Sequence, residues 1–395
     1  MTSTSSWSRS KVADICRLQN GRGFKPSEWS TSGYPIIRIQ NLNGNEKFNY
    51  FSGIPEDRWL VPNGQMLFAW AGSRGVSFGP TIWRGPTGVL NQHIFKVFPA
   101  NGVAPAWLYL ALQHVTDAIE SKAHGFKDTL VHVKKSEIED YEVLVPPLNE
   151  QRRIAEIISA WDRTIGTVEA LIANAQQQKA ALMQALLTGK RRLPGFDAAW
   201  SMTTIGAVCD QITERASDAI DLPVLACSKH DGFVESLKYF KKKVFSDDLA
   251  AYKVVRRGMI GFPTNHVEEG SIARQDIVDA GLVSPIYCVF EPRAVDGQFL
   301  IRLLKTDNFT QRFAAATNAS VDRRGSLRWR EFAKLPLNLP SLDEQRAIAA
   351  VIGVAEDKEH LLAAQADAVR QEKSALMQQL LTGKRRVKAV QREAA

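Results

Sequence analysis

The residues with most chemistry to offer are amides, guanidinium groups, ammonium groups and imidazoles scattered through turn-rich segments. Early in the chain these are Arg38, Gln40, Asn41 and Asn43, then Ser73 and Arg74 in a glycine-flanked turn, then His124 and Lys127. Later come Lys229 and His230, Asn265 and His266, Arg274, Asn318, Ser320, Arg323 and Arg324. Such side chains read base edges through paired donors and acceptors and grip phosphates through single charges, so nucleic-acid recognition is the chemistry they suit. Each also has a plainer use as a solvated or structural polar group. Arg38, in a strand-like run, equally fits a buried ion pair, and Trp70 and Phe126 read as core aromatics rather than stacking platforms.

Reactions on those same groups need other constellations. Adenine methylation needs an Asn/Asp-Pro-Pro-aromatic loop to hold the flipped base. Val145-Pro146-Pro147-Leu148 has the prolines without the polar and aromatic ends, so it reads as a helix entrance. Gly189-Lys190 and Gly383-Lys384 lack the frame of a phosphate-binding loop. The 7 histidines show no metal-ligand spacing, and Glu356-Asp357-Lys358 falls inside a helical pattern as a solvated face. Cys16, Cys209, Cys227 and Cys288 lie far apart with no C-x2-C pair and are expected as buried thiols. The expectation is a chain with no catalytic residue, no metal and no cofactor of its own.

At 395 residues, 45% hydrophobic and 23% charged, the chain is long enough for two or more ordinary soluble domains. Nothing in it resembles a membrane span. Its first six residues lack the basic start and apolar stretch of a signal peptide, so a cytoplasmic protein is expected. A net charge of +8 favours a polyanionic partner, yet no segment is a basic tail. Folding must therefore focus the charge.

An internal repeat organises everything else. KAALMQALLTGKRR (179–192) and KSALMQQLLTGKRR (373–386) agree at 12 of 14 positions, and the match runs back at a constant offset of 194 to PPLNEQRRIAEII (146–158) and PSLDEQRAIAAVI (340–352). The copied segment is helical by its local signals: prolines before it, Asn149 and Asp343 as expected N-caps, and Gly189 and Gly383 as stops. Basic residues past each stop suit the helix dipole. Such a helix spans roughly 60 Å at about 1.5 Å per residue.

Large apolar residues occupy rungs of a ladder of alternating steps of four and three: Ile154, Ile158, Trp161, Ile165, Val168, Ile172, Leu182 and Leu186, and in the second copy Ile348, Ile352, Leu362, Val369, Leu376 and Leu380. That is a coiled-coil seam, which two helices of one chain bury most simply by pairing antiparallel. Lys179, Glu359 and Lys373 interrupt it, and charges there are costly unless paired. In an antiparallel pair centred near Ile172 and Ala366, Lys179 and Glu359 fall within about one layer of each other.

Between the copies lie segments mixing short strands and helices. The first has strand-like runs at 35–39, 64–70 and 93–98 and a helix from Pro105 to about Ser121. The second has runs at 222–225, 258–262 and 286–290 and a helix from about Gly297 to Ala315. The fold class is mixed α/β: two globular domains joined by two long antiparallel coiled-coil helices, with an internal pseudo-twofold repeat. The expected boundaries are a first domain at 1–146, a helix at 147–192, a second domain at 193–340, a helix at 341–387 and a tail at 388–395. The copies agree closely in the helices and loosely in the domains, as two unlike readers on matched connectors would.

These residues resemble the specificity subunits of Type I restriction-modification systems over nearly the whole chain. The resemblance rests on Gly33-Tyr34-Pro35-Ile36-Ile37-Arg38, Leu90-Asn91-Gln92-His93-Ile94, the doubled Glu150-Gln151 and Glu344-Gln345 helix entries, and the doubled Leu-Leu-Thr-Gly-Lys-Arg endings at 186–191 and 380–385. Pro35-Ile36-Ile37-Arg38 has no sequence counterpart around Leu222-Pro223-Val224-Leu225, so no role of Arg38 carries to the second half. The resemblance implies target-recognition domains that bind a two-part asymmetric site on double-stranded DNA with an unread spacer. It further implies two modification subunits methylating adenine from S-adenosylmethionine, and two motor-nuclease restriction subunits using ATP and Mg for cleavage. The competing expectations are a coiled-coil assembly scaffold that binds proteins and a free-standing DNA-binding regulator.

Overall fold

The near-copied segments form two 40-residue helices, Leu148–Leu187 and Leu342–Leu381. Each starts one residue ahead of the expected caps. The Pro147 carbonyl accepts from the Gln151 amide and the Ser341 carbonyl from the Gln345 amide, both at 2.9 Å, so Pro147 and Ser341 hold the cap positions and Asn149 and Asp343 lie in the first turn. Each helix ends at a glycine with positive φ, Gly189 at 71° and Gly383 at 69°, a conformation L side chains rarely adopt.

The computed structural model describes residues 7–122, 130–216, 222–265, 267–318 and 326–387. The chain divides into two units, Met1–Glu169 with Ala364–Ala395, and Ala170–Ala363. Each unit thus contains one domain, the start of one long helix and the end of the other.

In the first unit, four antiparallel strands lie in the order Cys16–Asn20, Ile94–Pro99, Met66–Ala69, Gly79–Ile82. The helix Pro105–Lys122 backs them with Trp107, Leu108, Ala111, Leu112 and Val115. Ile154 and Ile158 of one long helix and Leu380 and Leu381 of the other enter the same core. A second sheet runs Tyr50–Phe51, Tyr34–Ile37, Gly88–Leu90, Leu60–Val61, and in it Ile36 and Ile37 lie parallel to Val89 and Leu90.

The second unit repeats the plan with strands Cys209–Ile212, Tyr287–Pro292, Ile260–Pro263 and Ala273–Arg274. Its core centres on Phe332, whose ring lies 4.8 Å from Phe262, 5.2 Å from Phe290 and 5.7 Å from Phe313. Leu186, Leu187, Ile348 and Ile352 of the long helices complete it. The single helix expected here is two, Gly297–Leu304 and Asp307–Asn318. Thr306 makes the break: its amide and hydroxyl both donate to the Leu303 carbonyl, at 3.2 and 2.7 Å, and its own carbonyl receives Thr310 to start the next helix. The strand expected at 222–225 begins instead at Leu225; ahead of it Val224 makes a parallel bridge to Leu282. That bridge is the counterpart of Ile36 and Ile37 on Val89 and Leu90, which the sequence alone did not reveal.

The doubled Glu-Gln and Lys-Arg-Arg motifs lock together within each unit. In the first, Glu150 accepts from Arg386 at 2.6 and 2.9 Å and from the Trp7 indole at 3.2 Å, with the Arg386 guanidinium 5.1 Å from the Trp7 ring. In the second, Glu344 accepts from Arg192 at 2.6 and 2.7 Å, with Trp200 beside the guanidinium. The neighbouring glutamines are buried: Gln151 accepts from the Ala104 amide at 2.7 Å and donates to the Pro146 carbonyl at 2.9 Å, and Gln345 does the same with Asp296 (2.8 Å) and Pro340 (2.9 Å). The last arginine of each basic run is thus a partner for a buried carboxylate as well as a complement to the helix dipole.

All fourteen apolar seam positions named above are buried or half-buried. In the first unit Asp162 pairs with Lys373 at 2.5 Å and Glu169 with Arg370 at 2.6 Å, rising numbers against falling ones, so the two helix segments run antiparallel. In the second unit Lys179 meets Glu359 at 2.5 Å, with side chains 27% and 18% exposed, and Gln176 donates to the same carboxylate at 2.9 Å. The hydrogen bond from Lys179 outweighs partial burial and holds the Glu359 carboxyl below its ordinary range. A depressed carboxylate stabilises the fold above its unfolded pKa and ceases to do so as pH falls through the folded one. Lys179→Met should therefore lower the thermal midpoint at neutral pH and make acid unfolding shallower below about pH 4. Parallel melting curves for both proteins from neutral to acid pH would refute the coupling.

Candidate nucleic-acid interface

In the first unit the parallel pairing of Tyr34–Ile37 with Gly88–Leu90 delivers two turns to one edge. The Asn91 amide donates to the Ile37 carbonyl at 3.0 Å, which sets Arg38 beside Asn91, Gln92 and His93. Trp70 reaches the same edge: its amide donates to the His93 carbonyl at 3.3 Å and its carbonyl accepts from Val133 at 3.1 Å. Its half-buried ring lies 5.2 Å from His93 and 4.8 Å from His132 while resting on buried Phe95, so Trp70 is a rim residue rather than plain core.

Arg38 is half-buried with its guanidinium 4.3 Å from the Trp29 ring. It makes no ion pair with any described residue, and one of its amino nitrogens, Nη2, is buried without a hydrogen-bond partner. A buried donor left unmade is costly, and an acceptor from outside would satisfy it. Gln40, within the short helix Ile39–Leu42, and Asn43, at its C-cap, are exposed.

Asn41 is a correction. It is buried, its Oδ1 accepts from the Arg38 amide at 3.0 Å, and its Nδ2 donates to the Asn45 and Lys47 carbonyls at 2.9 and 3.1 Å. Its amide is consumed by backbone, and it braces the loop that carries Arg38. Arg74 is another: its guanidinium donates to the Glu120 carbonyl, and the Gly75 amide donates to Glu120 Oε1 at 2.9 Å. Ser73 pairs with Leu130, and its amide donates to Ser77 Oγ at 2.8 Å. This turn is an anchor on the helix Pro105–Lys122. His124, Phe126 and Lys127 lie outside the described residues.

In the second unit Lys229 and His230 are exposed at the tip of the hairpin Leu225–Ser228, Gly232–Glu235. Asn265 is half-buried in the turn after Ile260–Pro263, and Leu327 is tied to the neighbouring Thr264 carbonyl at 2.8 Å. Arg274 is half-buried: it pairs with Asp276 at 2.6 Å and packs between Gly258 and Gly297, where its atoms stand within 3.5 Å of where side chains would begin, while its Nε is buried without a hydrogen-bond partner. Glycine at those positions makes room for an anchored arginine. Asn318 ends the helix Asp307–Asn318. His266, Ser320, Arg323 and Arg324 lie outside the described residues.

Sequence reasoning passed over Trp29, Gln92, His93 and His132, which join Arg38 on one edge only through strand pairing. It also passed over Lys241 and Lys242, whose signal, lysines interleaved with Tyr239 and Phe240, was open to view. Among the described residues no group of three or more His, Cys, Asp or Glu side chains could hold a metal ion, and no helix is long and apolar enough to cross a membrane.

A Type I restriction modification DNA specificity domain model matches residues 4–177. The chain is similar, over that span, to a DNA specificity domain. Its likeness extends through the second half: it is 24% identical to the Type I restriction enzyme EcoBI specificity subunit of Escherichia coli, covering 87% of this chain and 78% of that protein. It is 23% identical to the Type I restriction enzyme MjaVIII specificity subunit of Methanocaldococcus jannaschii, covering 97% of this chain and 93% of that one. The fold matches the Type I restriction-modification S subunit from M. genitalium at a TM-score of 0.53 and 14% identity, over 96% of this chain and 97% of the other. A chain from a structural study of Type I system assembly and conformational transition matches at 0.61 and 18% identity, over 96% and 98%. Over most of its length the chain is thus similar to Type I restriction enzyme specificity subunits.

Proposed function

We propose that this chain reads a two-part, asymmetric target on double-stranded DNA, one half with each domain, across a spacer it leaves unread. One observation carries this. The same parallel strand contact, Ile36 and Ile37 on Val89 and Leu90 in one unit and Val224 on Leu282 in the other, leads into different loops: a short helix presenting Arg38 in the first, a lysine-tipped hairpin in the second. Unlike side chains at like positions should select unlike bases.

The chain acts without a reaction of its own. The missing adenine loop and phosphate-loop frame support that reading, and the named relatives are specificity subunits. Two modification subunits would bring S-adenosylmethionine and methylate adenine, and two restriction subunits would bring ATP and Mg2+ for cleavage, all in the cytoplasm.

Mapping methylated adenines in DNA from cells that express this chain with its modification partner tests the proposal. The expected result is one motif of two unlike halves separated by a fixed number of free positions. A continuous motif, or methylation indifferent to the presence of this chain, would overturn it.

A further inference from the structure

We infer that the segment 235–244 of the second unit grips the DNA backbone, supplying affinity without sequence. The inference rests on the DNA-reading function proposed above. The segment continues from the hairpin as the short helix Ser236–Tyr239 and then Phe240-Lys241-Lys242-Lys243. Lys238 is tied to Glu235 at 2.7 Å and Lys243 to Asp247, which leaves Lys241 and Lys242 exposed and without an ion pair among the described residues. Tyr239 Oη donates to Asp231 Oδ2 at 2.7 Å, and Ser228 Oγ donates to the same oxygen at 3.0 Å. That network joins the lysine run to the hairpin tip, so Lys229, Lys241 and Lys242 belong to one local structure.

Tyr239 and Phe240, 49% and 37% exposed, meet edge to face at 5.0 Å among these lysines. Exposed rings beside unpaired ammonium groups suit a partner that is anionic and carries apolar faces, which describes phosphates with their deoxyriboses. Lysine ammonium groups are point charges without the planar fork that arginine brings to base edges. The Ser236 amide donates to the Val224 carbonyl at 2.9 Å, which ties the segment to the strand contact whose counterpart in the first unit leads to Arg38.

The test is the full chain, assembled with its modification partner, bound to a duplex bearing its mapped target and to a scrambled duplex between about 50 and 200 mM salt. K241A/K242A should weaken both duplexes by the same factor and flatten the slope of log affinity against log salt by about 1.8, while K241R/K242R keeps the wild-type slope. A loss confined to the target duplex, or an alanine variant that binds as wild type does, overturns the grip alone. A wild-type assembly that binds neither duplex overturns the DNA-reading function beneath it.

Discussion

Gln345→Ala should destabilise the protein by about 2–6 kcal/mol, because it orphans two backbone groups, one buried and one half-buried, at about 1–3 kcal/mol each. The Asp296 amide and the Pro340 carbonyl both end on this one buried side chain. Asp296 also caps the helix Gly297–Leu304 through Phe299, so the loss reaches the start of a core helix. Gln151→Ala should cost a similar amount in the first unit, where Ala104 and Pro146 hold the same places. Urea unfolding followed by helix signal measures both. Midpoints unchanged from wild type would show that the glutamines are incidental to the helix entries. Arg192→Met and Arg386→Met should each be destabilising too, with Arg192 the more severe: its partner Glu344 is 1% exposed, whereas Glu150 is 9% exposed and keeps its bond from Trp7.

Arg38→Ala should relax the target at one position in the half read by the first unit, weakening the preferred duplex by about 1–3 kcal/mol, or roughly five- to 150-fold. The side chain is held over Trp29 with one buried nitrogen unsatisfied, so an acceptor on a base edge would complete what the protein leaves open. Arg38→Lys should fail to restore selectivity, since lysine lacks the planar pair of donors. Asn41→Ala should behave differently. It unties the loop from Asn45 and Lys47, so stability falls along with binding. Methylation maps and duplex competition on the two variants separate these effects. Equal weakening on all sequences by Arg38→Ala would reassign it to a phosphate.

Much of the scaffold was legible in the residues themselves. Two copies of one helix, their antiparallel seam and the strands flanking them follow from periodicity and repetition, because a helix repeats its geometry every turn and an apolar stripe must be covered. Even the meeting of Lys179 with Glu359 at 2.5 Å agrees with counting along two rigid rods from a shared centre. The break at Thr306 and the caps at Pro147 and Ser341 were less legible, since single hydrogen bonds set them.

The interface divided differently. Gln40 and Asn41 are adjacent amides of like chemistry, and only the folded loop makes one exposed and the other a buried brace. Arg38, Arg74 and Arg274 are equally plausible readers on paper, but tertiary contacts tie Arg74 to the Glu120 carbonyl and set Arg274 between two glycines beside Asp276. The basic run at the helix ends showed its affinity for the helix dipole but not its partners, which lie 152 and 236 residues away. Local pattern determined what could be helix or strand, because backbone geometry and apolar burial act on neighbouring residues. Which polar groups stay free for a ligand was decided by the tertiary structure, because a donor is spent or spared by whatever acceptor the fold brings to it from a distant part of the chain.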